Sequence, residues 1–170
     1  MAGKSLITYY SWIGNTEVVA REIQRQTGFD MERIEEVVER DPGKLMNAGR
    51  AAFFGMKSKL KPSAINPEDY ENVFLGLQIW AGKSSPAING YLGRANLKGK
   101  KVWLFITKSD EKVPLKAISS LTRRVEKKGG RVMGVLPVTT LFVWGKQLVI
   151  SSDAVKEDVS QWLETIQSNL

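Results

Sequence analysis

Apolar runs of strand length alternate with amphipathic stretches of helical length along the whole chain, and few folds accept that order. Residues 6–10, 73–80, 102–107 and 131–139 read as strands, and 32–38 as a second, partly polar one. Between them, residues 16–27 carry Val19 and Ile23 on one face and stop at Gly28. A second helical stretch opens at Pro42-Gly43 and reaches about residue 56, followed by a Lys-, Pro- and Ser-rich linker over 57–69. Residues 85–94 place Pro86 in a first turn. Leu115, Ile118, Leu121 and Val125 form the stripe of the next helix, which Gly129-Gly130 ends. Val155, Val159, Trp162, Leu163 and Ile166 line the last helix, with Ser152 or Asp153 as its cap.

The order βαβαβαβαβα implies an α/β fold, a parallel sheet with helices on both faces and right-handed crossovers. Residues 73–80 are nearly all apolar, as a strand covered on both sides must be. After 139 the period changes. Residues 141–144 and 147–150 flank Gly145-Lys146, the connection of a type II′ hairpin, so a hairpin extension is expected near 140–150. A length of 170 residues fits one domain over 1–170, and no internal repeat or low-complexity segment interrupts it. In sheets of this kind ligands sit beyond the carboxyl ends of the strands, where the strand order reverses.

The chain contains no histidine and no cysteine. Disulfides, thiolate nucleophiles, cysteine-ligated clusters and the usual zinc sites are therefore excluded, as are Ser-His-Asp and Cys-His catalysis. Redox chemistry, if the chain performs it, must come from a bound cofactor. No apolar segment follows a basic N-terminal region and none is long enough to span a bilayer, so a cytoplasmic protein without membrane insertion is expected. The net charge of +7 is unevenly spread. Residues 30–41 carry a local −4 and residues 98–131 a local +8, an asymmetry that reads either as solvated helix surface or as a docking face for an acidic partner. The basic stretch lacks the interleaved aromatics of a single-strand binder, which argues against nucleic acid.

Two strand ends carry candidate chemistry. The first is Ser11-Trp12-Ile13-Gly14-Asn15-Thr16, between the first strand and its helix. Its backbone N–H groups, the helix dipole and the Ser and Thr hydroxyls can hold a phosphate, with Gly14 allowing close approach. Taken alone, the same residues also describe an ordinary βα turn with Asn15 or Thr16 as cap. The second is Gly76-Leu77-Gln78-Ile79-Trp80-Ala81-Gly82 with Lys83 behind it, where Trp80 offers a flat aromatic face at a strand end. Gly82-Lys83-Ser84 has the ending of a nucleoside-triphosphate loop, but Gly76 lies one residue too far upstream and inside a strand, which excludes that reading.

Ser11, Gly14 and Thr16 resemble the phosphate loop of the flavodoxin family, Ser/Thr-x-Thr-Gly-x-Thr, with Ile13 in place of a hydroxyl residue. Residues 76–82 are similar to that family's ring-contacting loop, Gly-x-Pro-Ile-Trp-x-Gly, with Gln78 in place of proline. The resemblance implies a doubly wound, five-stranded parallel sheet in the order 2-1-3-4-5 and one noncovalently bound FMN. Its phosphate would lie on Ser11, Trp12, Ile13, Gly14, Asn15 and Thr16. Its ring would lie against Ile79, Trp80, Ala81, Gly82 and Lys83, with Thr107, Lys108 and Ser109 on the third side. The implied function is electron transfer between redox enzymes, some of them acidic. The alternatives are a flavin-dependent NAD(P)H or quinone reductase and a module that has lost FMN and works as a protein-binding partner. Positive charge at Lys83 and Lys108 would favour the reduced, anionic flavin.

Overall fold

The computed structural model describes residues 3–40, 50–51, 54–80, 82–109, 111–140, 142–143 and 146–170. Five parallel strands form the main sheet: β1 (Ser5–Tyr9), β2 (Asp30–Arg33), β3 (Asn72–Trp80), β5 (Lys101–Lys108) and β6 (Arg131–Thr139). Their order is β2-β1-β3-β5-β6, and the short β4 (Lys83–Ser84) pairs antiparallel with the end of β3. Apart from the numbering that β4 displaces, this is the expected 2-1-3-4-5 arrangement. The reversal of direction falls between β1 and β3, which run side by side from Ser5↔Asn72 to Tyr9↔Gly76.

Helices α1 (Asn15–Thr27) and α4 (Ser152–Ile166) cover one face; α2 (Pro86–Arg94) and α3 (Leu115–Lys127) cover the other. Side chains of β3 alternate between the two cores because successive residues of a strand point to opposite faces. Val73, Leu75 and Leu77 join Ile88, Leu92, Leu121 and Val125 on the α2–α3 side. Phe74 joins Val19, Ile23, Val159 and Trp162 on the α1–α4 side, where it stacks on Trp103 at 6.1 Å. Trp162 stands edge-on to both of those rings, at 5.8 and 6.4 Å. Each such side chain, fully buried, is worth about 1.5–3 kcal/mol.

Four local expectations are corrected. The second strand spans Asp30–Arg33 rather than 32–38, because Glu36 turns inward to Tyr10 and Arg40 and its backbone forms an isolated bridge to Leu60. The hairpin after β6 pairs Phe142↔Gln147 and Val143↔Lys146, which moves Lys146 from the turn into β8 (Lys146–Gln147) opposite β7 (Phe142–Val143). Residues 148–150 lie outside both strands. Ser151, not Ser152 or Asp153, caps α4, accepting the Ala154 N–H at 3.3 Å. Leu115 begins α3 on its exposed side, so the buried stripe is Ala117, Leu121 and Val125. Most of the helix expected over 42–56 lies outside the described residues, of which Arg50 and Ala51 are helical.

Candidate functional site

The carboxyl edge of the sheet gathers the turn after β1, the hairpin from β3 to β4 and the loop after β5. Tyr10 continues β1, its N–H donating to the Gly76 carbonyl at 3.0 Å. The chain then turns at residues 11–16. Ser11 is buried, and its Oγ accepts the Gly14 N–H at 3.1 Å. Gly14 takes a left-handed φ of 111° and opens α1 without any side-chain cap. The first intrahelical bond runs from the Val18 N–H to the Gly14 carbonyl. The N–H groups of the first turn therefore have no helical acceptor, and with the helix dipole they favour a bound anion. Ile13 is half-buried at the mouth of this turn.

Thr16 and Thr107, expected on opposite sides of one ligand, meet directly. Their hydroxyls are 2.9 Å apart and both residues are buried. Asn15 acts elsewhere. Its Nδ2 donates to the Leu148 carbonyl at 3.0 Å and its Oδ1 accepts the Ile150 N–H at 2.8 Å. The side chain thus clasps residues 148–150 over the start of α1, where Val149 lies against Gly14. Nothing in residues 11–16 alone announces that clasp, whose partner is 133 residues away.

Trp80 corrects the expected open aromatic face: it is 8% exposed. Trp12 covers it edge to face at 5.0 Å, and Tyr10 packs on it at 6.3 Å. Trp12 is held by its own N–H to Gln78 Oε1 at 3.2 Å and by its Nε1 to the Arg40 carbonyl at 3.3 Å. The Tyr10 hydroxyl donates to the buried Glu36 carboxylate at 2.6 Å, which Arg40 and Ser58 also contact. Burial first, and the Glu36 carboxylate second, raise the Tyr10 pKa above its usual value, so the phenol stays protonated. Gln78 spends its oxygen on Trp12, and its buried Nε2 finds no hydrogen-bond partner among the described residues.

One strand further on, Ile79, Gly82, Lys108 and Ser109 line a cavity of about 600 Å³ between the β3 and β5 ends, closed by the start of α3. Gly82 turns the β3–β4 hairpin with a φ of 72°. Lys83 pairs with Trp80 across that hairpin and is exposed. Lys108 is buried, its Nζ donating to the Glu111 carbonyl at 3.1 Å and to Thr139 Oγ1 at 2.8 Å. Ala81 lies outside the described residues. The structure brings the expected residues to one edge, but in two groups: residues 11–16 with Thr107, and the cavity group with Lys108 and Ser109. Among the described residues, no group of three or more acidic side chains is placed to hold a metal ion, and no helix is long and apolar enough to cross a membrane.

The family model for flavodoxin matches residues 4–166. The chain belongs to the flavodoxin family. Its fold is that of solved structures with little sequence in common. A protein of Bacteroides uniformis superposes with a TM-score of 0.73 at 16% identity, covering 96% of this chain and 99% of that one. A flavoprotein of Lactobacillus acidophilus, crystallised in complex with FMN, has a TM-score of 0.66 at 24% identity over 80% of this chain and 93% of its own. The flavodoxin of Streptococcus pneumoniae gives 0.55 at 16% identity over 98% and 99%. No curated protein matches the sequence closely enough to count as a relative.

Proposed function

We propose that the chain binds one FMN along the carboxyl edge of its sheet and carries electrons between redox proteins. The observation that supports this most is the uncapped N-terminus of α1, set one strand from a cavity of about 600 Å³ between β3 and β5. The residues present suit the group. Ser11 and the first-turn N–H groups offer donors to a phosphate, and the unpartnered Gln78 Nε2 offers one more donor beside them. Ile79 and Gly82 offer an apolar wall and a bare backbone to a ring. When bound, FMN supplies one- and two-electron chemistry that no side chain here can. The chain's own residues bind and orient it, exclude water, and set the local charge through Lys108 and Lys83. The exposed bases of α3, Lys116, Arg123 and Lys127, are the proposed contact for an acidic partner.

A second reading has its own observation. Trp12 and Trp80 cover one another, and Ser11 accepts the Gly14 N–H, so both strand-end loops are held in place without a ligand. On that reading the chain is a flavodoxin-family module that works through its basic face. One titration separates the two. Ligand-stripped protein added to FMN should quench flavin fluorescence to a 1:1 end point, and Gly14→Val should weaken binding at least tenfold. A colourless protein that leaves added FMN fully fluorescent would reject the first reading in favour of the second.

A further inference from the structure

Behind the β3–β4 hairpin lies a separate cavity of about 440 Å³, between α3 and residues 55–57. Its lining holds four cations, Lys57, Lys83, Lys116 and Arg124, and among the described residues no carboxylate. Lys57, Lys83 and Lys116 are exposed at the rim. Arg124 is half-buried and reaches inward from α3. Its Nη1 donates to Ser84 Oγ at 2.8 Å; that hydroxyl donates in turn to Asn89 Oδ1 at 2.8 Å, and Asn89 Nδ2 anchors on the Met56 carbonyl at 2.8 Å. Ser84 and Asn89 are both buried, so the chain of bonds fixes the guanidinium in one place. The remaining Arg124 donors have no protein partner among the described residues. Burial moves its pKa downward, and among the described residues no carboxylate lines the cavity to oppose that.

A half-buried cation without a counter-ion is costly, and an anion bound beside it would offset that cost. The guanidinium fork matches the geometry of phosphate oxygens, and three further ammonium groups at the rim suit more than one negative charge. The volume lies in the range of small-molecule pockets and exceeds what a bare oxyanion fills. We propose that this cavity is a second ligand site, which takes the phosphate or pyrophosphate end of a nucleotide-sized anion. It shares Gly82, Lys116 and Ala117 with the cavity between β3 and β5, so the organic part of such an anion can extend toward that cavity. None of its residues lies in the turn at 11–16, so it is separate from the proposed FMN phosphate site, while Gly82 and Lys83 are shared with the proposed ring side.

Amide chemical-shift titration of the isotope-labelled protein tests this with two probes, inorganic pyrophosphate and NADPH. Saturable shifts are expected over residues 82–89 and 120–124. Arg124→Gln should weaken binding at least tenfold, while Arg123→Gln, which removes the same charge one residue away, should leave it within twofold. Because Arg124→Gln also frees Ser84, the rim variant Lys83→Gln/Lys116→Gln supplies a second test: both side chains are exposed, and binding should weaken several-fold with the spectrum otherwise unchanged. NADPH competing with pyrophosphate would identify a nucleotide as the source; pyrophosphate binding alone would identify a free anion. Shifts confined to residues 11–17, equal weakening by both arginine variants, or no saturable shift with either probe would overturn the proposal.

Discussion

A side chain at residue 76 would have nowhere to go. A Cβ there would lie 2.1 Å from the Phe105 ring of the neighbouring strand and 2.8 Å from Tyr9 Cβ. Gly76 therefore lets Phe105 lie across β3, a packing need within the motif rather than a ligand contact. Gly76→Ala should cost about 1–3 kcal/mol by overpacking. Urea unfolding should show that loss, while FMN affinity of the folded protein should change less than threefold. Glu22 makes a different single-residue contribution. It is 2% exposed, and the Arg25 guanidinium, hydrogen-bonded to it at 2.6 Å, holds its pKa at about 2. The folded value lies below the ordinary 4.5, so the pair stabilises the fold above that pH and loses its effect as pH falls toward about 2. Arg25 is more than half exposed, and screening reduces the contribution to about 1 kcal/mol. Glu22→Gln should be less stable than the parent by that amount at pH 7, with the gap closing near pH 2 in urea unfolding run across the range.

Among the elements, residues 148–150 matter most to the site and were least visible in advance. They belong to no strand, yet the Asn15 carboxamide holds them over the α1 N-terminus by two hydrogen bonds to the backbone. Asn15→Leu would leave the buried Ile150 N–H and the Leu148 carbonyl without partners, at about 2 kcal/mol. The Ile150 amide should then exchange with solvent far faster than in the parent, and the melting temperature should fall. The sequence shows strands and helices well where burial dictates pattern. β3, with Phe74 in one core and Leu75 in the other, has to be apolar along its length, and Val155, Val159, Trp162 and Ile166 have to recur at helical spacing. It shows residue types at residues 11–16, because a glycine and hydroxyls at a strand-to-helix turn are a local pattern. It does not show pairing across the fold. Thr16 meets Thr107 at a separation of 91 residues, and Trp80 is closed off by Trp12 of another loop, so a tryptophan legible as a strand-end face is a covered one. β2 misleads for the same reason: Glu36 looks like a strand residue until Tyr10 and Arg40 claim its carboxylate.

Across the whole molecule, charge is sorted by position in the fold. The acidic stretch at 30–41 begins on the β2 edge of the sheet, whereas the basic stretch at 98–131 supplies β5 and α3 beside the cavity between β3 and β5. On the proposed placement of FMN, two lysines would determine how that field acts on the flavin. Lys108 is buried and fixed by Glu111 and Thr139, so its ammonium keeps one position; Lys83 is exposed on the hairpin and is screened by water. A partly screened positive charge about 6 Å from a developing negative one is worth about 1 kcal/mol. That stabilises the reduced form and raises the potential by about 40 mV for one electron, by the proportion between free energy and potential. The Lys83→Ala/Lys108→Ala double variant should therefore have a lower potential than the parent, and the Lys108→Ala single variant should account for most of the change. Salt should discriminate between the two positions as well: raising ionic strength should erase the Lys83 contribution and leave that of Lys108 largely in place. Redox titration of the FMN-loaded protein and the two variants at low and high salt reads all of this directly. Equal potentials in parent and double variant would show that these two lysines do not act on the bound flavin.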